Sequence, residues 1–264
     1  MTSYHVLGTS LLATTYAELA VFCRQLACGD ACVAMDFANT QIVTMRRHEP
    51  GFRDSTSTYD YFLPDGMPLV WCLNRAGANL RDRVYGPTFM RKFLETVPAR
   101  FTHYLLGGSP QCGARLRELF QQVNPNARFI GAFHGACNSD GQFVGGSQQA
   151  VIDELNRLSP DFIWVGLGTP KQQAWVKRYK QSIRRGVILS VGFAFDVNAG
   201  LKPDAPGWMQ RCGLTWLFRL WSEPRRLGSR YFRYNGLFLY YLLRDGVCGR
   251  SWGQVGVPAK QRNP

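Results

Sequence analysis

Three stretches of the sequence carry side chains suited to group transfer. Leu63-Pro64-Asp65-Gly66 sets a carboxylate at the end of an apolar run, beside a glycine that leaves room for a substrate. Such an Asp serves as a general base or as a turn residue bonded to its own backbone, and the local residues favour the turn. Arg81-Asp82-Arg83-Val84-Tyr85-Gly86 offers Arg83, either a bidentate phosphate clamp or a solvated surface charge. Gly166-Leu167-Gly168-Thr169-Pro170-Lys171-Gln172-Gln173 follows one apolar run and opens another with helical spacing. The unpaired N–H groups and dipole of a helix start attract anions there, with Thr169 as the expected N-cap and Pro170 as the first helical residue. The same features also describe ordinary strand-to-helix capping. The stretch is neither a Walker A loop nor G-x-G-x-x-G, so it supports neither an ATPase nor a dehydrogenase.

These turns need a scaffold that brings them together. Strand-like runs are expected at His5–Gly8, Ala31–Phe37, Tyr59–Leu63, Phe101–Leu106, Arg128–Phe133, Asp161–Val165 and Val187–Val191. Helical spacing falls between them at Ala17–Leu26, Gln41–Arg53, Thr88–Val97, Gly113–Val123, Gln148–Leu158 and Lys171–Lys180. Alternation of this kind predicts an α/β fold, a Rossmann-like, mostly parallel sheet with helices on both faces. Ligands bind such sheets at the carboxyl ends of the strands, where Asn39, Pro64-Asp65-Gly66, Gly107–Pro110 and Gly166–Pro170 fall. Pro and Gly cluster at Gly200–Gly207, which marks the expected boundary between a body (1–200) and a helical C-terminal appendage (201–264).

The appendage is basic and aromatic. Residues 202–264 hold eleven Lys/Arg against three acids, +8 of the chain's +13. Pro224 can start a helix on which Arg226, Arg230 and Arg233 share one face, with Leu227, Tyr231 and Tyr234 one position on. Three readings fit: an interfacial helix on anionic lipid, an amphipathic helix docked by its aromatic side, or a nucleic-acid surface.

Composition removes other classes. With 45% hydrophobic and 19% charged residues, the chain can build a sizeable core. Its eight cysteines form no C-x-x-C pair and have no His cluster nearby, which argues against zinc and fits a reducing compartment. The N-terminus lacks a basic n-region, and no apolar run approaches the ~18 residues needed to span a bilayer. D-x-D, H-E-x-x-H and G-x-S-x-G are all missing, so a D-x-D metal-dependent transferase, a zinc protease and an α/β-hydrolase have no support.

Taken in order, several motifs resemble one family. They are Phe162–Gln173, Val191-Gly192-Phe193-Ala194-Phe195-Asp196, Ala205–Gln210, Gly213–Leu220 and Glu223-Pro224-Arg225-Arg226-Leu227. With Asn39, Pro64-Asp65-Gly66 and Arg83-Val84-Tyr85-Gly86, they are similar to the WecG/TagA/CpsF family of bacterial glycosyltransferases, from about Ala31 to Tyr234. The resemblance implies an inverting, metal-independent enzyme without a cofactor. It would move a sugar from a UDP-sugar donor to a polyprenyl-diphosphate-linked sugar at the cytoplasmic face of the inner membrane, as a peripheral protein. The subgroup it most resembles acts in xanthan-type (GumM-like) exopolysaccharide biosynthesis, which implies β-1,4 transfer from UDP-glucose.

By position, Asp65 resembles the family's general base and Arg83 its active-site arginine. Asn39, Gly166, Gly168, Thr169, Lys171, Gln172 and Asp196 fall in its substrate-binding motifs. Arg211, Arg219, Arg225, Arg226, Arg230 and Arg233 resemble arginines that meet diphosphate or the anionic membrane surface. Three positions depart from the pattern: Thr88 stands where an Asp is usual, Asp204 where R-A-P begins, and Thr215 where G-L-E-W has Glu. A non-catalytic membrane scaffold and, less well, a nucleic-acid-binding protein remain as alternatives. Homo-oligomerisation stays open.

Overall fold

The computed structural model describes residues 1–145, 147–247 and 254–255. Cys248, Arg250, Lys260 and Arg262 of the basic tail lie outside the described residues.

The strands are β1 (Thr2–Val6), β2 (Thr9–Ala13), β3 (Cys32–Ala38), β4 (Tyr61–Pro64), β5 (Thr102–Gly107), β6 (Arg128–Phe133), β7 (Phe162–Gly166), β8 (Gly186–Ser190) and β9 (Gln254–Val255). They form one sheet in the order β6-β5-β7-β8-β3-β4-β2-β1-β9. From β6 to β2 every pairing is parallel, as expected; β1 and β9 pair antiparallel. Runs such as Phe162-Ile163-Trp164-Val165 are apolar on both faces because helices cover the sheet on both sides.

The described helices are α1 (Tyr16–Ala27), α2 (Thr40–His48), α3 (Pro50–Ser55), α4 (Met67–Arg75), α5 (Gly86–Thr96), α6 (Pro110–Val123), α7 (Gln148–Leu158), α8 (Lys171–Tyr179), α9 (Ala194–Asn198), α10 (Gly207–Arg211), α11 (Thr215–Ser222) and α12 (Pro224–Val247). Two cores result. Side chains of α1, α5, α6 and α9 pack on one face around Trp164, Phe93 and Phe195. Those of α2, α4, α7, α8 and α12 pack on the other around Ile188, Val165 and Trp175.

Three expectations need correction, and one of the three readings of the appendage helix is observed. The single helix over Gln41–Arg53 is two, because Glu49 precedes Pro50 and is held extended (φ −118°, ψ 104°). The first strand, expected at His5–Gly8, is instead a hairpin that turns through Leu7 (φ 50°) and Gly8 (φ 80°), a two-residue turn with both φ positive. Helix α4, buried through Leu69, Val70, Cys72 and Leu73, fills a stretch to which no element was assigned. The aromatic stripe of α12 docks on the body: Leu227, Tyr231 and Tyr234 are buried. Its polar tips explain the docking, since Tyr234 bonds the Glu49 carboxylate and Tyr241 Oη lies 2.7 Å from His48 Nδ1.

Candidate active site

The chain runs from β3 outward to β4, then crosses to the far side and returns through β7 and β8 to β3. That reversal opens a crevice at the carboxyl ends of β3, β4, β7 and β8, the usual ligand position in such sheets. A cleft of about 540 Å³ lies there. A smaller compartment of about 70 Å³ adjoins it, and Asn39, Gln41, Asp65, Tyr85, Arg219 and Tyr231 line both.

Asp65 follows β4, whose register places Pro64 opposite Ala38. Its main-chain N–H donates to Ala38 O at 2.9 Å. The side chain does not bond its own turn: Oδ1 accepts from the Gly86 N–H, 21 residues away, at 3.1 Å. Burial pushes the carboxyl from its ordinary 3.8 up to about 7, against the opposing pull of Arg83, the Gly86 N–H and Arg219. The result is a carboxylate poised near neutrality at the wall between two compartments.

Arg83 is buried rather than solvated. Its Nη2 donates to Thr215 Oγ1 at 2.9 Å, and Nη1 reaches the Asp65 carbonyl at 3.5 Å. The guanidinium stacks 4.2 Å from the Tyr85 ring centre. Arg83 therefore ties the body to α11 while lining the small compartment. Tyr85 in turn donates to Asp204 Oδ1 at 2.8 Å, which gives the departed Asp204 a structural role.

Asn39 lines both compartments and caps α2, its Oδ1 accepting from Ile42 N at 3.1 Å. The turn after β7 contributes Gly166, Gly168, Thr169, Lys171 and Gln172 to the large cleft. Gly166 has no room for a side chain, since a Cβ would sit 2.5 Å from the Phe195 ring. Gly168 adopts φ +76°, which favours glycine.

The expected cap is shifted by one residue. Helix α8 begins at Lys171 after a cis Thr169–Pro170 bond, and Pro170 holds the cap position. Thr169 Oγ1 is instead turned to the side chain of Gln173, whose Nε2 donates to it at 3.3 Å. The Gly168 N–H is also engaged, donating to Gln172 Oε1 at 3.2 Å. Positive potential in this cleft thus comes largely from side chains: Lys171, Lys202, Arg219, Arg226 and Arg230 all line it.

The tail arginines divide. Arg219, Arg226 and Arg230 line the large cleft, whereas Arg211, Arg225 and Arg233 lie on the exposed surface. Arg219 stacks 3.9 Å over the Phe193 ring, Arg226 pairs with Glu223, and Arg230 Nη1 donates to Thr169 O at 3.3 Å. Arg233 pairs with Glu49 at 3.5 Å. Asp196 lines the cleft but is held by Lys202 at 3.3 Å. Tyr85, Phe193 and Lys202 also line the cleft and were not singled out as site residues from sequence, although the first two lie inside motifs that were; Tyr231, expected in the aromatic stripe, lines it too.

Exposed apolar side chains gather on and near the appendage. Trp216 lines the small compartment and is partly exposed; Trp71 packs beside Gly213 at the same end. Trp208 of α10, Trp221 of α11 (86% exposed), and Phe232 and Leu243 of α12 are exposed as well. Among the described residues, no helix is long and apolar enough to cross a membrane.

Comparison with known proteins bears on this site. The model of the glycosyl transferase WecG/TagA/CpsF family matches residues 4–251. Similar proteins include three from Staphylococcus aureus, of strains MRSA252, MW2 and NCTC 8325 / PS 47. Each is named N-acetylglucosaminyldiphosphoundecaprenol N-acetyl-beta-D-mannosaminyltransferase and is 26% identical over 192 residues, 72% of this chain and 72% of the relative.

Proposed function

The chain belongs to the WecG/TagA/CpsF family of glycosyl transferases, and on that premise we propose that it transfers a sugar from a UDP-sugar to a polyprenyl-diphosphate-linked sugar. The observation that carries this reading is Asp65, a carboxylate held near neutral pKa on the wall shared by a large basic cleft and a small compartment edged by Trp216. The names of the relatives point the same way for the acceptor, since they act on a sugar linked through diphosphate to undecaprenol.

The large cleft takes the nucleotide-sugar, with Lys171, Arg219, Arg226 and Arg230 around its diphosphate. The acceptor sugar enters the small compartment. Its hydroxyl gives a proton to Asp65 as it attacks the anomeric carbon from the face opposite UDP, which inverts that centre. A base with pKa near the working pH contributes roughly 10²–10⁴-fold. As UDP leaves, its new charge is met by the arginines, in the role a metal ion plays elsewhere. Arg83, stacked on Tyr85 and bonded to Thr215, holds the acceptor side of the site to the appendage.

The lipid part of the acceptor stays in the membrane. The exposed Trp71, Trp208, Trp216 and Trp221 insert at the interface, and Arg211 and Arg225 meet anionic headgroups, at the inner membrane's cytoplasmic face. In domain terms, residues 1–200 carry the donor site and 201–264 complete it at the membrane. For the donor itself we favour UDP-glucose and β-1,4 transfer in xanthan-type exopolysaccharide assembly. The test is a panel of UDP-sugars offered with short-chain glucosyl- and N-acetylglucosaminyl-diphosphate lipids, read by product mass and linkage. Transfer of glucose to the glucosyl lipid supports the full reading. Transfer of another sugar keeps the family activity and removes the glucose assignment. No transfer with any pair favours a non-catalytic scaffold.

A further inference from the structure

Below the Gly166–Lys171 turn lies a carboxylate that the reaction above does not use. Asp36 sits in β3 opposite Ser190 of β8 and is fully buried. It shares its face of the strand with Ala34 and Ala38, which belong to the apolar core on that side of the sheet. Its Oδ2 accepts from Gln173 Nε2 at 2.9 Å. The other oxygens of these two joined groups, Asp36 Oδ1 and Gln173 Oε1, are both buried without a partner among the described residues. Two unpaired acceptors on one planar pair are costly as they stand. One proton on Oδ1, donated to Gln173 Oε1, would satisfy both.

We propose that Asp36 is a positioning residue that works as a neutral acid: its protonated carboxyl pairs with both edges of the Gln173 amide and so fixes Thr169 in the donor-binding turn. The chain of contacts is short. Gln173 Nε2 also donates to Thr169 Oγ1 at 3.3 Å, and Thr169 O accepts from Arg230 at 3.3 Å. Neutrality matters because the site above must receive a diphosphate. An ionised carboxylate buried under the turn would oppose that anion across low-dielectric protein.

The polar neighbours Gln173, Arg46 and Gln172 favour an ionised Asp36, but Arg46 and Gln172 are engaged elsewhere. Arg46 of α2 acts on it at a distance but is committed to Thr9 Oγ1 at 3.1 Å, to Thr56, and to the Phe62 ring at 4.1 Å. Tyr59 is bonded to Ser190 Oγ at 2.7 Å. Gln172 also faces Asp36 and favours its charged form, while its amide accepts from the Gly168 N–H and donates to the Ser190 carbonyl. Asp65 carries like charge when ionised. Burial outweighs these influences and lifts the Asp36 carboxyl to about 7.

The binding half of this proposal rests on the donor reading above; the ionisation half does not. The experiment therefore has two arms on the full-length protein. In the first, carboxyl ¹³C NMR of Asp-labelled protein is titrated, with the Asp36 signal assigned by its loss in Asp36→Asn. The signal should stay in the acid form to near neutral pH; a carboxylate signal at pH 5 overturns the proposal. In the second, UDP affinity is measured by calorimetry from pH 6 to 9. Asp36→Ala should bind about tenfold more weakly than Asp36→Asn, which restores one donor and one acceptor. Wild-type affinity should fall with rising pH by on the order of tenfold relative to Asp36→Asn, the size of a unit-charge interaction at about 10 Å and an effective dielectric of about 20. Equal affinity of the Asn and Ala variants, or identical pH dependence of wild type and Asp36→Asn, overturns it. If wild type binds no UDP at any pH, the donor reading fails and the NMR arm still decides the state of Asp36.

Discussion

Replacing Asp65 by Asn separates chemistry from architecture at the centre of the site. Asn keeps an Oδ1 acceptor for the Gly86 N–H, now at 3.1 Å, so the loop carrying Arg83 and Tyr85 should hold its place. What disappears is the proposed proton acceptor. Loss of a positioned general base costs roughly 10²–10⁴-fold in turnover, about 3–5 kcal/mol of barrier. The wild-type profile follows from a carboxyl lifted to about 7: kcat should rise with pH through about 7 and level off above it, as the base becomes ionised. That limb should be gone in the residual activity of Asp65→Asn. Stability should move oppositely. The folded carboxyl holds its proton more tightly than the unfolded one, so wild-type stability declines as pH rises from the ordinary 3.8 toward 7. The Asn variant escapes that loss and should melt higher than wild type at pH 8, by at most about 4 kcal/mol and less where cleft water solvates the carboxylate. Steady-state kinetics and thermal melts at pH 6 and 8 test both. Near-wild-type turnover in a folded Asp65→Asn protein would refute the role of Asp65.

Other substitutions probe the supports of the site. Arg83→Lys loses the bond to Thr215 and the stack on Tyr85, and should lower kcat/KM at least about tenfold with little change in UDP affinity; equal losses in both would place Arg83 on the donor side. Tyr241→Phe removes the 2.7 Å contact with His48 and should destabilise the fold by about 1 kcal/mol in urea melts, whereas an unchanged midpoint would show that α12 is held by packing alone. The pair Trp221→Ser and Phe232→Ser should weaken sedimentation with anionic vesicles in high salt, where buried aromatics and not charge retain the protein; undiminished retention would move the membrane face elsewhere. If arginines meet the leaving charge as proposed, turnover should persist in excess chelator; loss restored by a divalent cation would contradict that.

The parallel sheet was legible because its strands are short apolar runs separated by helical spacing, and the strand-end turns marked the crevice. Less visible were features set by distant partners. Asp65 looked like a turn residue because its partner, Gly86, is 21 positions away. Arg83 looked solvated because one of its partners, Thr215, is 132 positions on. The amphipathic spacing of α12 was correct, but spacing does not say what a stripe faces; Glu49 and His48 settle it by taking the tyrosine hydroxyls. Asp36 passed unremarked inside a strand, although a lone carboxylate in an apolar run was itself a signal.

The central claim is sugar transfer by Asp65 between two compartments. It is tested most directly by mixing the protein with a matched UDP-sugar and diphosphate-lipid pair and following product in wild type and Asp65→Asn at pH 8. One added hexose of inverted configuration, formed by wild type and slowed at least about a hundredfold in the variant, is the predicted result. Product formed equally by both, or by neither with any pair, would contradict it.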